Sequence, residues 1–247
     1  MATIMWPELA PPGAAALCES MLRKEPGFLT LARSRVWRKV ASLLEKLLLP
    51  GAVNHWLARK REIDRLARQA HADGFSQLLV IGGGRDTLAL RMAAEGLFTR
   101  IIFADHPATL SSLPVLDPRV ERVPWDLTSD EPLPTISPAA TLVVIEGVLM
   151  FLPPPIVSVL LQRIAKMPVP RVRLIASWMV ERPGQPIGFE EQSRFLTAWL
   201  RWRGEPMLWA TTRERFTELL RVTGWPEPRF LCFALGGEQL AIAERRF

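Results

Sequence analysis

The residues able to do chemistry in this chain stand at the ends of short apolar runs. Gln77–Ile81 stops at Gly82-Gly83-Gly84, and Ile101-Ile102-Phe103-Ala104 stops at Asp105 and His106. The run over 120–123 leads to Asp126-Leu127, and Thr141–Ile145 leads to Glu146. Glycines after a strand let the backbone turn tightly and let a ligand approach with no Cβ in the way. A carboxylate about twenty residues further on, at the end of the next strand, can accept hydrogen bonds from both hydroxyls of a ribose. Such charge-assisted bonds are stronger than neutral ones. Asp126 could accept from an adenine amino group. Glu146 is surrounded by Ile145, Val148, Leu149, Met150, Phe151 and Leu152. A carboxylate buried there needs a cation, which either a ligand ammonium or an arginine of the chain could supply. The dinucleotide fingerprint asks for a third glycine at position 87, and the residue there is Thr87.

These side chains need a scaffold, and the hydrophobic pattern describes one. Leu31, Val36, Val40, Leu43, Leu44, Leu47 and Leu48 recur at helical spacing over 29–49, with Arg33, Arg35, Arg38, Lys39 and Lys46 on the other face. Such a helix can lie on a membrane surface, but covering a core is the commoner use. Pro50-Gly51 ends it, and a second helix is predicted over 53–72. From residue 77 on, apolar runs alternate with helical stretches at 86–95 and 155–166, and a further strand is predicted over 172–178. This alternation signals an α/β fold whose mostly parallel, Rossmann-like sheet is covered on both faces and binds ligand at its strands' carboxyl ends. Beyond Trp178 the pattern predicts a loop at 181–188 and helices at 190–202 and 212–222. Strands at 229–234 and 239–243, joined through Gly236-Gly237, should form a closing antiparallel hairpin. The expected organisation is an N-terminal helical cap over 1–74 and a core over 75–247 with a helical lid inserted at about 179–211.

Composition narrows the function classes. The chain has 247 residues, 49% of them apolar, enough for one sizeable core. The net charge of +6 comes from scattered arginines with no compact run of the kind that tracks phosphates, so no nucleic-acid partner is expected. Cys18 and Cys232 lie far apart, and His55, His71 and His106 do not cluster, which argues against a disulfide framework or a metal site. The start of the chain has no basic segment and is broken by Pro7, Pro11 and Pro12, unlike a signal peptide. No apolar run is long enough to cross a bilayer. The expectation is a cytoplasmic protein.

The motifs as a set resemble the leucine carboxyl methyltransferase family, including its bacterial class I O-methyltransferases. The matching stretches are Ala58-Arg59-Lys60-Arg61-Glu62-Ile63-Asp64, Leu79-Val80-Ile81-Gly82-Gly83-Gly84-Arg85-Asp86-Thr87, Ala104-Asp105-His106-Pro107-Ala108-Thr109, Val123-Pro124-Trp125-Asp126-Leu127 and Glu146-Gly147-Val148-Leu149-Met150-Phe151-Leu152-Pro153, with Gly204-Glu205-Pro206 and Ala241-Ile242-Ala243-Glu244 downstream. The resemblance runs from about Pro50 to the C-terminus. It implies a class I methyltransferase fold with S-adenosylmethionine as cofactor. Arg59, assisted by Lys60, would hold the donor's carboxylate. Gly82 and Gly84 would lie against its methionine part, Asp105 would hold the ribose, and His106, Asp126 and Leu127 would surround the adenosine. Glu146 would face the methionine ammonium. Asp86 and Thr87 match the family too, although capping the next helix accounts for them equally well. Where the family often carries a lysine after the Asp-x-Pro stretch, this chain has Ser111 and Ser112.

Methyl transfer is an in-line displacement, so the protein mainly positions the partners and excludes water. A carboxylate acceptor is already a nucleophile, whereas a hydroxyl needs a base. No histidine–carboxylate pair stands out in the sequence, which favours a small carboxylic acid as acceptor over a hydroxyl, with a protein C-terminus as a lesser possibility. The acceptor pocket is expected from the N-terminal helices together with Trp178, Trp199, Trp202 and Trp209, and Arg182, Arg194, Arg201 and Arg203. The same tryptophans could equally be core, and no catalytic residue is assigned. Two other readings stay open: a methyltransferase-like protein that binds without turnover, and a nicotinamide-dependent oxidoreductase. The second lacks both its third glycine and any tyrosine.

Overall fold

The computed structural model describes all residues except 1, 23–25, 115, 116, 203 and 234. Five helices lead the chain: α1 (Ala2–Met5), α2 (Ala14–Met21), α3 (Pro26–Arg33), α4 (Arg35–Leu48) and α5 (Ala52–Ala72). Then come β1 (Gln77–Ile81), α6 (Leu88–Ala94), β2 (Arg100–Asp105), α7 (Pro107–Ser112), β3 (Val120–Pro124), β4 (Thr141–Ile145), α8 (Pro154–Ala165) and β5 (Arg171–Met179). The chain closes with α9 (Arg194–Trp202), α10 (Arg213–Val222), β6 (Arg229–Cys232) and β7 (Glu238–Arg246). The seven strands form one sheet in the order β3-β2-β1-β4-β5-β7-β6, parallel except for β7, which runs antiparallel to both neighbours.

The continuous apolar runs make the sheet's two cores by simple alternation. Leu79, Ile81, Ile102, Val143, Ile145 and Leu174 face α8 and α10, while Leu78, Val80, Ile101, Leu142, Val144 and Ile175 face α5 and α6. α5 contributes Ile63, Leu66, Ala67 and Ala70 to the second cluster, so the helix carrying Arg59 and Lys60 is fixed directly on the sheet. Arg91 of α6 is tied to Asp64 of α5 and donates through Nε to Thr87 Oγ1 at 3.2 Å.

Three expectations change. The helix predicted over 29–49 is two helices, because Ser34 is extended (φ −71°, ψ 125°) and its hydroxyl accepts from Trp37 N at 3.2 Å as an N-cap. The apolar stripe of α4 does not cover a core. Trp37 and Ala41 meet the small cluster of Ile4, Met5, Leu22 and Ala32, and the leucine stripe lies about a quarter turn away from that contact, facing out. Helices predicted from 86 and from 190 start later. Asp86 stays outside α6, its Oδ1 accepting from Leu88 N at 2.6 Å, and Ser193 Oγ accepts from Leu196 N at 3.1 Å ahead of α9. Residues 203 and 234, named in the expected pocket and hairpin, lie outside the described residues.

Candidate functional site

Strand register brings the polar tips together. Ile81 of β1 pairs with Ala104 of β2 on one side and Ile145 of β4 on the other, so Gly82, Asp105 and Glu146 emerge side by side. This is the point where the strand order reverses, the usual ligand crevice of an open α/β sheet. Gly82 and Gly84 have φ of +64° and +54°. A Cβ on Gly82 would stand 2.5 Å from Val148 Cγ2, whereas one on Gly84 would meet nothing within 4 Å. Gly82→Ala is therefore expected to cost about 3 kcal/mol of stability from backbone strain and overpacking together, and Gly84→Ala only about 1–2 kcal/mol. Urea unfolding of both variants checks the difference, and equal losses would remove the Val148 contact from the account.

Asp105 does more than face the crevice. Its Oδ2 accepts from Gly84 N and its Oδ1 from His106 N, both at 2.7 Å. The carboxylate thus holds the glycine turn in place, and each oxygen keeps a further lone pair toward the cavity.

Two adjoining cavities carry the predicted residues. One, of about 440 Å³, is lined by Gly82, Gly84, Asp105, His106, Asp126 and Leu127, with Trp125, Val148, Phe151 and Glu205 completing its walls. The other, of about 340 Å³, is lined by Arg59, Lys60, Gly82, Asp86, Glu146 and Gly147. Gly82 and Gly147 belong to both, so the two are chambers of one crevice. Each is within the usual size for a small-ligand site. All nine predicted residues line this crevice. Trp125 was not among them; it lines the first chamber, and its indole N–H is buried with no hydrogen-bond partner among the described residues.

In the second chamber the chain supplies its own ion network. Arg59 Nε donates to Glu146 Oε1 at 2.9 Å, and its NH1 donates to Glu238 Oε1 at 2.6 Å. Lys60 Nζ donates to Glu146 Oε1 at 3.2 Å and also to Asp86. His55, one helical turn before Arg59, places Nε2 2.7 Å from Glu238 Oε2. The cation that Glu146 requires is thus met here by an arginine and a lysine of the chain, the second of the two possibilities open in the sequence. Glu238 was not anticipated. It opens β7 opposite Met179 of β5, and because β7 runs antiparallel its first residue lies at the carboxyl end of the sheet. Only that pairing brings it to a helix 179 residues earlier in the chain.

Burial works against every charge in this network, and the partners outweigh it. Burial lowers the pKa of Arg59 and Lys60, yet Glu146 with Glu238, and Asp86 with Glu146, hold them above their ordinary values. Burial raises Glu146, but Lys60 and Arg59 bring it from 4.5 down to about 2. Glu238 is likewise held low by Arg59 and His55 against its burial. A carboxyl depressed in the fold stabilises it above the unfolded pKa and loses that contribution as pH falls through the folded value. Stability is expected to be level above about pH 5 and to decline from about pH 4.5 toward 2. Unfolding by urea across this range should show a shallower acid slope in Glu146→Gln; an unchanged slope would detach Glu146 from the effect.

The remaining predicted positions are more ordinary. Asp126 Oδ1 accepts from Thr128 N and Oγ1 at 2.9 and 2.7 Å, an Asx turn that lowers its pKa. His106 is an exposed N-cap whose Nδ1 accepts from Ala108 N at 3.2 Å. Ser111 and Ser112, at the family's lysine position, donate to backbone carbonyls of Ala108 and Thr109. The expected tryptophan pocket does not form. Trp178 is fully buried 4.7 Å from the Phe216 ring, and Trp209 meets the same ring edge-on, whereas Trp199 and Trp202 are exposed on α9. The first pair lies on the core side of the sheet's end and the second on one face of a surface helix. Arg182 donates to the carbonyls of Gly188 and Phe189.

Strand order, register and a nucleoside-sized crevice at the switch point define a class I methyltransferase fold. The leucine carboxyl methyltransferase profile matches residues 19–165, more than half of the chain. The chain belongs to the leucine carboxyl methyltransferase family. The match starts upstream of Pro50, within the helices that motif resemblance left out, and ends at α8 rather than the C-terminus. No curated protein matches the sequence. Among solved structures, a methyltransferase candidate from Thermobifida fusca YX is 18% identical with a TM-score of 0.59, covering 87% of this chain and 90% of its own. Human N-acetylserotonin methyltransferase in complex with SAM is 17% identical with a TM-score of 0.52, covering 87% of this chain. The present chain spans 60% of that human protein's length. PigF with SAH is 16% identical with a TM-score of 0.51, covering 99% of this chain and 70% of its own. These likenesses concern the fold.

Proposed function

We propose that the protein is an S-adenosylmethionine-dependent O-methyltransferase whose acceptor is the carboxylate of a small molecule. The observation that carries the reading is the pair of chambers joined at Gly82 and Gly147, one with the Asp105 carboxylate in its wall, the other with a buried ion network. In this reading Asp105 accepts from the ribose, Asp126 and Leu127 frame the adenine, and Arg59 and Glu146 meet the methionine carboxylate and ammonium. The network suits that zwitterion: it carries Arg59 and Lys60 against Asp86, Glu146 and Glu238. Trp125 adds an indole face to the wall of the chamber assigned to the adenosine. The bound donor supplies an already activated methyl group on a sulfonium. The protein's own residues hold the two charged ends and fix orientation, while Leu49, Met150, Met179 and Phe189 form a dry cluster beside the strand ends.

A carboxylate acceptor needs no base; His106, in the wall of the chamber assigned to the adenosine, already uses Nδ1 to accept from Ala108 N. One observation favours a second reading, a hydroxyl acceptor. His55 Nε2 is held by Glu238, and its buried Nδ1 has no hydrogen-bond partner among the described residues. Glu238 would fix the tautomer with the proton on Nε2, and an acceptor able to reach the buried ring would meet the Nδ1 lone pair. Calorimetric titration with S-adenosylmethionine and with NAD, followed by methyl transfer to matched acids and alcohols, tests both readings. The first expects donor binding, no NAD binding, and transfer to acids at a rate that is level across the pH range where histidines titrate. Transfer to alcohols alone, abolished by His55→Ala, would replace it with the second. Donor binding without transfer to either panel would favour a binding protein.

A further inference from the structure

Two helices of this molecule present apolar faces that the fold leaves largely uncovered. On α4, Val36, Val40, Leu43 and Leu47 share one face and are 72%, 37%, 59% and 66% exposed. Arg35, Lys39 and Lys46 flank that face on one side and are exposed too. The only acid of α4, Glu45, is turned inward, its Oε1 accepting from Val53 N at 3.4 Å. On α9, Phe195 and Trp202 are 69% and 80% exposed, with Arg194 and Arg201 beside them and no acid in the helix. The helices adjoin, since Ser193 N donates to Leu48 O at 2.9 Å.

We propose that α4 and α9 form a docking surface for an anionic lipid bilayer. Singly scattered apolar residues are normal on a surface, but ordered stripes on adjoining helices call for a partner. Apolar faces edged by lysine and arginine, with tryptophan among them, suit the headgroup–acyl boundary. The charge pattern selects the occupant. Among the described residues no carboxylate lies within ion-pair distance of Arg35, Lys39 or Lys46. A second copy of the chain would bring the same bases against them with no acid to pair, whereas anionic lipid supplies the missing charge. Among the described residues no helix is long and apolar enough to cross a bilayer; the apolar faces run along the sides of α4 and α9, which suits contact along the membrane surface. α4 leads directly into Leu49, which packs with Met150, Met179 and Phe189 beside the crevice, so a docked molecule would hold that end of the sheet near the membrane. The proposal stands whether or not the acceptor is a carboxylate.

Flotation of the intact protein with vesicles of phosphatidylcholine, alone or mixed with phosphatidylglycerol, tests it. Partition into mixed vesicles is expected to exceed that into neutral ones by about tenfold or more and to be reversed by salt. Leu43→Ser/Leu47→Ser should abolish flotation, and Lys39→Glu/Lys46→Glu should remove the preference for anionic lipid, while both keep the circular dichroism spectrum and the donor affinity of the parent. Failure to float, or equal partition into both vesicles, would overturn the proposal. So would a dimer in sedimentation velocity that Leu43→Ser/Leu47→Ser dissociates while vesicles stay free of protein; a second copy would then be the partner.

Discussion

Arg59→Ala is expected to lower the unfolding free energy by about 3–5 kcal/mol and to abolish measurable donor binding. Arg59 is the shared partner of two carboxylates that the fold has taken out of water. The Glu238 side chain is wholly buried and that of Glu146 is 9% exposed. Among the described residues, removing the guanidinium leaves Glu238 with only His55, and Glu146 with only Lys60. An uncompensated buried charge costs far more than the intact pair contributes. Loss of stability and loss of binding can be separated. Arg59→Met/Glu238→Gln removes a cation and an anion together and should recover most of the stability, without recovering the donor affinity. Urea unfolding and calorimetry on the two variants check this. A double variant that binds donor normally would take Arg59 out of the site, and a single variant as stable as the parent would mean that the network relaxes through water.

Asp105→Ala is expected to weaken S-adenosylmethionine binding by about a hundredfold or more, from loss of two charge-assisted hydrogen bonds to the ribose. The structure adds a second consequence, because the same carboxylate accepts from Gly84 N and His106 N. The variant should also lose stability, by about 1–3 kcal/mol for the unpaired backbone donors. Asp105→Asn separates the two effects. Its amide oxygen can accept one of those two backbone bonds, so stability should return in part, while the lost charge keeps affinity low. Equal donor affinity in Asp105→Asn and the parent would leave the carboxylate with the turn alone.

Much of this molecule is legible in its sequence because the relevant physics is local. A strand buried on both faces is mostly apolar, so 77–81, 141–145 and 172–178 announce themselves, and Gly82 after the first and Glu146 after the second are placed by the chain itself. The glycine turn and the acids at strand ends are of this kind, and parallel pairing in register brings them together without further information. Local pattern misled where it could not say what a face would meet. The heptad-like stripe of α4 reads as core cover, but nothing in the sequence states that Ser34 breaks the helix and that the remaining contact is spent on Trp37 and Ala41. Trp178 and Trp202 look alike in sequence, yet one lies in the core and the other in solvent.

The sequence by itself determined the order of strands and helices, the glycine turn after β1 and the acids that could hold an adenosine, because each follows from residue type and spacing over a few positions. Tertiary structure alone decided who neutralises whom. Glu146 meets Arg59 across 87 residues, and Glu238 meets His55 across 183, through an antiparallel last strand that returns its first residue to the mouth of the sheet. Charge pairing acts through space and depends on burial, so it becomes visible only once the sheet has closed around it.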